Sequence, residues 1–215
     1  ISGTNVTIIL AVMSSLLFWI PRNWRLLPLA LAALLFMLLT GASASVVRAT
    51  IMGILGLIAV SVDRPKIPRL LILWTATGMV LYNPRWLWYD PGFQLSFLAT
   101  IGIAELSPFL NRWCRWLPKT LGLRESTVAT LAAYIATTPL SALLFKQISI
   151  VAPLANLITA PLIPLSMLLG SISTLLSAIW FPLGQYIGFF GYITLKITIL
   201  TATVLGGLPL ATFSW

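Results

Sequence analysis

The feature that most constrains this chain is a succession of long apolar runs separated by short clusters of charge, proline and glycine. Only 8% of its 215 residues are charged, whereas a soluble domain carries about 25%. A chain so poor in charge cannot present a folded surface that water solvates, which excludes a soluble monomer. Because a membrane-crossing helix needs roughly 20 apolar residues, the sequence predicts an all-α polytopic membrane protein.

The breaks between the apolar runs predict about eight transmembrane passes. Ser45 is the expected N-cap of the third pass. The seventh pass contains Pro153, Pro161 and Pro164, and such a broken helix is tolerated at membrane depth only inside protein or beside water. We therefore expect one interrupted pass. The predicted passes cover residues 5–20, 26–39, 45–62, 70–82, 93–106, 126–145, 150–181 and 185–205.

The basic residues predict the orientation of these passes. The first, third and fifth loops hold nine Lys and Arg residues, whereas the second, fourth and sixth loops, with the helix starts beside them, hold three. Positive loops stay in the cytoplasm, so both ends of the chain should face outside. Since Ile1 lies inside an apolar run, we expect residues 1–215 to form a single membrane-embedded domain of a longer protein.

The fifth loop carries an amphipathic pattern of its own. Apolar side chains recur there at one-turn spacing and basic side chains lie on the opposite face, which predicts a short helix in the cytoplasmic interface. Such a helix is either a lipid anchor or a basic lip that guides a leaving anion. The apolar set is Phe109, Leu110, Trp113, Trp116 and Leu117, and the basic set is Arg112, Arg115 and Lys119.

The inventory of reactive side chains is poor for an enzyme. The chain has no histidine, one cysteine and four acidic residues that lie far apart in the sequence. This composition excludes a histidine-bound metal, an internal disulfide and a Cys-x-x-Cys site. We therefore expect no catalytic site, no metal and no cofactor. A protein that forms a passage through the membrane fits this composition better than an enzyme.

Arg48 is the most informative polar residue. It lies about one turn into the third predicted pass, where the positive end of the helix dipole disfavours a cation. It also lies on the predicted outer side, which is the side that arginine avoids. A compensating anion is therefore expected. The alternatives are a structural pair with Asp90, snorkelling of the side chain to the interface, and contact with the phosphate of a substrate.

Other polar side chains within the predicted passes are candidates for lining a water-filled path through the membrane. Polar groups at membrane depth are costly and are therefore functional candidates. Hydrogen bonds between helices are the simpler alternative for several of them, and Asn156 could satisfy carbonyls that the prolines leave free. With Arg48, the candidate path-lining residues are Asn5, Ser43, Ser45, Gln94, Ser96 and Asn156.

Four segments occur in this order along the chain: ISGTNV (1–6), LTGASASVVRA (39–49), DPGFQLSFLA (90–99) and APLANLITAP (152–161). Together they resemble the membrane competence domain of the ComEC-type DNA-uptake channels of the bacterial plasma membrane. The resemblance implies that the chain carries single-stranded DNA across the plasma membrane during natural transformation. It also implies a cytoplasmic ATP-driven translocase and an outer DNA receptor as partners. The chain departs from the family at Asn5, where members often carry histidine.

The functional hypothesis is therefore a channel for single-stranded DNA in a lipid bilayer. No GxxxxGK[ST] loop occurs, so a partner has to drive the strand. An ion-coupled permease for a small solute is one alternative, and a membrane anchor for further extracellular domains is another. The sequence leaves open whether copies of the chain form a homo-oligomer.

Overall fold

The computed structural model describes residues 3–116, 123–208 and 212–214, and these residues are almost entirely helical. The helices are α1 (Gly3–Leu16), α2 (Arg22–Leu39), α3 (Ala44–Ser61), α4 (Pro68–Tyr82), α5 (Arg85–Tyr89), α6 (Pro91–Trp113), α7 (Leu123–Phe145), α8 (Ala152–Thr159), α9 (Leu162–Ile179) and α10 (Phe181–Gly206). A 3-10 turn covers Cys114–Trp116, and the short strands β1 (Gln147–Ser149) and β2 (Thr212–Ser214) pair in antiparallel fashion.

Among the described residues, five helices are long and apolar enough to cross a membrane. These are α3, α6, α9, α10 and the Arg124–Phe145 part of α7, and two shorter apolar helices cover Gly3–Leu16 and Trp24–Leu39. The prediction of a helical membrane protein is therefore confirmed, whereas the number of eight passes stays a prediction. The predicted interruption near Pro161 is present as a break at Ala160 and Pro161 between α8 and α9, while their membership of one pass stays a prediction.

The chain divides into two compact units, residues 1–105 and 106–215. In the first unit, the turn before α3 reverses the chain through a left-handed backbone, with φ of 79° at Gly41 and 47° at Ala42. Gly41 has no Cβ atom, so it adopts this conformation at no steric cost. Ser43 precedes the helix, so α3 begins before Ser45, which was the expected N-cap.

The core of the first unit joins α3, α4 and α6. Its buried apolar side chains are Ala44 from α3, Ile72 and Met79 from α4, and Phe93 and Phe97 from α6. The two phenylalanine rings lie one turn apart with centroids separated by 4.4 Å. This packing fixes the face that α6 presents to α3, and that face carries the polar partners of Arg48.

The second unit is built on close packing of α9 against α10. A Cβ atom added at Gly184 would lie 2.6 Å from the backbone nitrogen of Ser177. A Cβ atom at Gly188 would lie 2.8 Å from Ser173 Oγ. The hydroxyl of Ser173 donates a 2.8 Å hydrogen bond to the carbonyl of Gly184. The two glycines spaced four apart therefore allow the helix backbones to approach closely.

The structure corrects the predicted amphipathic helix of the fifth loop. Residues up to Trp113 continue α6 as one helix that contains Pro108, and a 3-10 turn follows. A proline removes one helical hydrogen bond, and here the helix continues beyond that loss. Arg112 and Arg115 are exposed at this end, while Leu117 and Lys119 of the predicted helix lie outside the described residues. The paired strands β1 and β2 are a second difference from an all-helical expectation.

Candidate functional site

Arg48 reaches from α3 to a pair of hydroxyls on α6. Its Nε donates to Ser96 Oγ and its Nη1 donates to Thr100 Oγ1. Ser96 and Thr100 lie one turn apart, so they meet the two nitrogens together. The Thr100 hydroxyl donates its own proton to the carbonyl of Ser96 at 2.8 Å, which leaves its lone pairs for the guanidinium. The half-buried arginine is thus held by neutral oxygens.

Sulfur and aromatic groups complete the surroundings of the guanidinium. Nη1 lies 3.5 Å from Met52 Sδ, and the central carbon lies 5.9 Å from the centroid of the Phe97 ring. A cation above an aromatic face is attracted by the quadrupole of the ring. These contacts orient the positive charge of Arg48 but do not neutralise it.

The pair between Arg48 and Asp90, one of the alternatives for this arginine, does not form within the described residues. The Oδ1 atom of Asp90 instead accepts a 3.0 Å hydrogen bond from the backbone N–H of Phe93. This is the bond that an aspartate makes when it caps the first turn of a helix, and Asp90 directly precedes α6. Within the part of the chain that the structure describes, Arg48 has no carboxylate partner, whereas Arg69 forms an ion pair with Glu105.

The N-terminal helix α1 approaches the same arginine. A Cβ atom added at Gly3 would lie 3.0 Å from Arg48 Nη2, so the absence of a side chain there gives the guanidinium room. Asn5 lies in the first turn of α1, and its buried Oδ1 has no hydrogen-bond partner in the described residues. A buried carbonyl oxygen without a partner costs free energy unless water or a ligand satisfies it.

The remaining candidates in the first unit are not brought to the guanidinium. Ser43 is exposed and Ser45 is half-buried at the start of α3, whereas the hydrogen bonds of Arg48 run to α6. The Nε2 atom of Gln94 donates to the carbonyls of Leu87 at 2.9 Å and Trp88 at 3.2 Å. Gln94 therefore ties α6 to α5, while Ser96 lies on the face that contacts Arg48.

The second unit contains a cavity of about 560 Å³ between α7, α8 and α10. Asn156 lies on its wall and donates from Nδ2 to Thr130 Oγ1 at 2.7 Å. This bond links α8 to α7 rather than satisfying a carbonyl freed by proline. The lining residues are Thr130, Ala133, Tyr134, Thr137, Ala152, Pro153, Ala155, Asn156, Thr159, Thr198 and Ala202.

The cavity differs from the Arg48 site because none of its lining residues is charged. Lys196 is on the same helix as Thr198 but is exposed, and its Nζ lies 5.7 Å from the ring centroid of Tyr192. On a helix, residues two apart point to different faces. Lys196 therefore does not supply charge to the cavity.

Sequence reasoning missed the hydroxyl partners Thr100 and Thr130. Threonine is common in membrane helices, where its hydroxyl often bonds to the carbonyl one turn earlier, so neither residue stands out in the sequence alone. The available signal for Thr100 was its one-turn spacing from Ser96. The available signal for Thr130 was weaker, because its partner Asn156 lies on another helix.

The segments that carry the resemblance coincide with these two places. Arg48 lies in residues 39–49 and Ser96 in residues 90–99, whereas Asn156 lies in residues 152–161. A family model described as "Competence protein" matches residues 1–215. Searches of curated proteins and of solved structures found no match. Because the family model covers the full length given, the chain belongs to the Competence protein family.

Proposed function

We propose that this chain conducts single-stranded DNA across the bacterial plasma membrane, and that Arg48 binds phosphates of the strand. The observation that carries the proposal is a cation in a membrane-crossing helix whose partners are two neutral hydroxyls, Ser96 and Thr100. Membership of the competence family supports a role in DNA uptake.

A positive charge inside a membrane-crossing segment needs an anion or water, because hydrocarbon does not solvate it. The hydroxyls accept hydrogen bonds from the guanidinium but leave its net charge in place. A phosphate offers a negative charge and two non-bridging oxygens, which can accept hydrogen bonds from one guanidinium at the same time. A phosphate that reaches Arg48 would therefore gain more binding free energy than one that reaches an arginine already paired with a carboxylate.

The orientation and the partners belong to the same proposal. The charge bias of the loops supports an outward position for both ends of the chain. An inside-negative potential opposes inward movement of each phosphate by about 2.3 kcal/mol per 100 mV. A cytoplasmic ATP-driven translocase is therefore proposed to pull the strand, and an outer DNA receptor to deliver it.

The test compares Arg48→Ala with Arg85→Ala in the full-length protein. Arg85 is an exposed arginine at the start of α5 on the predicted outer side, so it is a matched control. Labelled DNA that reaches the cytoplasm should fall about 10- to 100-fold for Arg48→Ala, the range expected for losing a charged hydrogen bond. Arg85→Ala should retain uptake, and DNA bound at the cell surface should be unchanged in both variants.

Uptake that persists in Arg48→Ala at normal protein level would overturn the proposal. A membrane anchor for further extracellular domains gives that result, because such an anchor needs no cation at this depth. Arg48→Lys sharpens the outcome: lysine keeps the charge but lacks the forked donors. Uptake by Arg48→Lys should therefore lie between wild type and Arg48→Ala.

A further inference from the structure

The cavity in the second unit has a chemical character that follows from its hydrogen bonds. Each of its threonine hydroxyls on α7, α8 and α10, Thr130 excepted, donates its proton to the carbonyl of an earlier residue in the same helix. The bonds run from Thr137 to Ala133 at 2.8 Å, from Thr159 to Ala155 at 3.0 Å and from Thr198 to Thr194 at 2.9 Å. A hydroxyl used in this way presents only lone pairs to the cavity.

The other polar groups of the wall are engaged in a similar manner. The Tyr134 hydroxyl donates to the carbonyl of Ser149 at 2.7 Å, so this proton is also used within the protein. One N–H of Asn156 is donated to Thr130, and the Oδ1 atom of Asn156 remains as an acceptor. Oxygen lone pairs therefore outnumber free donors on the cavity wall.

Such a wall discriminates between the parts of a nucleotide. A phosphate brings only acceptors and negative charge, and the lining residues offer no cation to balance it. A nucleobase brings N–H donors on its edges and an aromatic face that can stack on the ring of Tyr134. The volume of about 560 Å³ lies within the roughly 300–1,000 Å³ of small-ligand sites.

We propose that this cavity holds a nucleobase of the strand, with Tyr134 as the stacking surface and Asn156 and Thr130 as acceptors for its N–H groups. This inference rests on the proposed function, because it assumes that single-stranded DNA reaches the chain. It assigns the bases to the neutral cavity and the phosphates to Arg48, so the two sites bind different parts of the same polymer.

The test uses full-length protein in lipid nanodiscs and three labelled oligonucleotides of equal length. One is unmodified, one carries an abasic stretch that keeps every phosphate, and one carries uncharged methylphosphonate linkages in place of phosphates. The wild type should bind the unmodified strand about tenfold more tightly than the abasic strand, the size expected for one stacked base. Fluorescence anisotropy measures each dissociation constant.

The variants separate the two sites. Asn156→Ala and Thr130→Val remove acceptors and should lower the ratio between the abasic and unmodified dissociation constants, with unchanged affinity for the abasic strand. Thr174→Val is the matched control, because Thr174 is an exposed threonine of α9 outside the cavity. Tyr134→Phe keeps the ring and should keep the ratio. Arg48→Ala should weaken the binding of both phosphate-bearing strands alike.

Two results would overturn the inference. The first is equal binding of the abasic and unmodified strands by the wild type while Arg48→Ala still weakens both, which leaves the proposed function standing. The second is a base preference that neither Asn156→Ala nor Thr130→Val reduces. Failure of the proposed function looks different: the wild type then binds the methylphosphonate strand as tightly as the unmodified one, and Arg48→Ala has no effect.

Discussion

The candidate site of the first unit is centred on one charged guanidinium, whereas the cavity of the second unit is lined by several neutral oxygen atoms. Arg48 offers donors and a positive charge held by Ser96 and Thr100. The Asn156 cavity offers acceptors and no charge among its lining residues. Polar groups in a predominantly apolar chain can therefore differ in kind, with charged hydrogen-bond donors in one unit and neutral acceptors in the other. Under the proposed function, each unit would contact a different part of a polymer that carries both charged linkages and aromatic bases.

The difference extends to how the two units pack. Arg48 and its partners join helices through side chains and aromatic rings. The second unit depends on α9 and α10 approaching through Gly184 and Gly188. The cavity is lined in part by α10, so its shape should depend on that approach, while the arginine site should not.

The largest expected effect on stability is that of Gly184→Ala. The added methyl group would meet the backbone of Ser177, and overpacking of this kind costs about 1–3 kcal/mol. Gly170→Ala in α9 is the control, since its Cβ would have no heavy atom within 4 Å. Thermal unfolding in detergent should show a lower midpoint for Gly184→Ala and an equal or higher one for Gly170→Ala. Equal midpoints for both variants would contradict the packing of α9 on α10.

Asp90 gives a smaller effect that separates a helix cap from an ion pair. Asp90→Ala removes the acceptor for the Phe93 N–H and should cost about 1 kcal/mol of stability. Asp90→Asn keeps that acceptor and should be nearly neutral, because asparagine caps helices as well as aspartate does. Unfolding midpoints measure both. If Asp90→Asn were as damaging as Asp90→Ala, the charge of Asp90 would matter and the capping role would be wrong.

The smallest expected effect is that of Thr100→Val, which keeps the shape of the side chain and removes one acceptor for Arg48. Hydrogen bonds between membrane helices contribute about 0.6 kcal/mol on average, so DNA uptake should fall about threefold. Thr174→Val again serves as the control in quantitative uptake assays. A loss as large as that of Arg48→Ala would mean that the hydroxyl itself, rather than the charge that it orients, is essential.

The helices were largely predictable because hydropathy and proline positions report directly on them. The predicted passes at 45–62 and 70–82 match α3 and α4 to within a few residues. The interruption near Pro161 also followed from the sequence, since proline lacks the N–H that a helix needs. The helix predicted from Phe109 was wrong as a separate element up to Trp113, because these residues continue α6. The rest of the predicted helix falls on a 3-10 turn and on residues outside the described ranges.

The partners of the site residues were less predictable. The sequence identified Arg48, Ser96 and Asn156 but not the contacts that they make. Those contacts depend on how α3 is oriented against α6 and how α8 is oriented against α7. A single amino-acid sequence does not specify these interhelical orientations. Asp90 was the nearest carboxylate by topology, but its side chain instead caps the first turn of α6. Local hydrogen bonds form at a lower entropic cost than distant ones.

The central claim is that phosphates of an incoming strand reach Arg48. A photoreactive phenylalanine derivative in place of Met52, whose sulfur lies 3.5 Å from Arg48 Nη1, tests this directly in cells that are taking up labelled DNA. Light should crosslink single-stranded DNA to this position, and adding Arg48→Ala should abolish the crosslink. DNA that accumulates in the cytoplasm without any crosslink at this position, or with a crosslink that persists in Arg48→Ala, would contradict this claim.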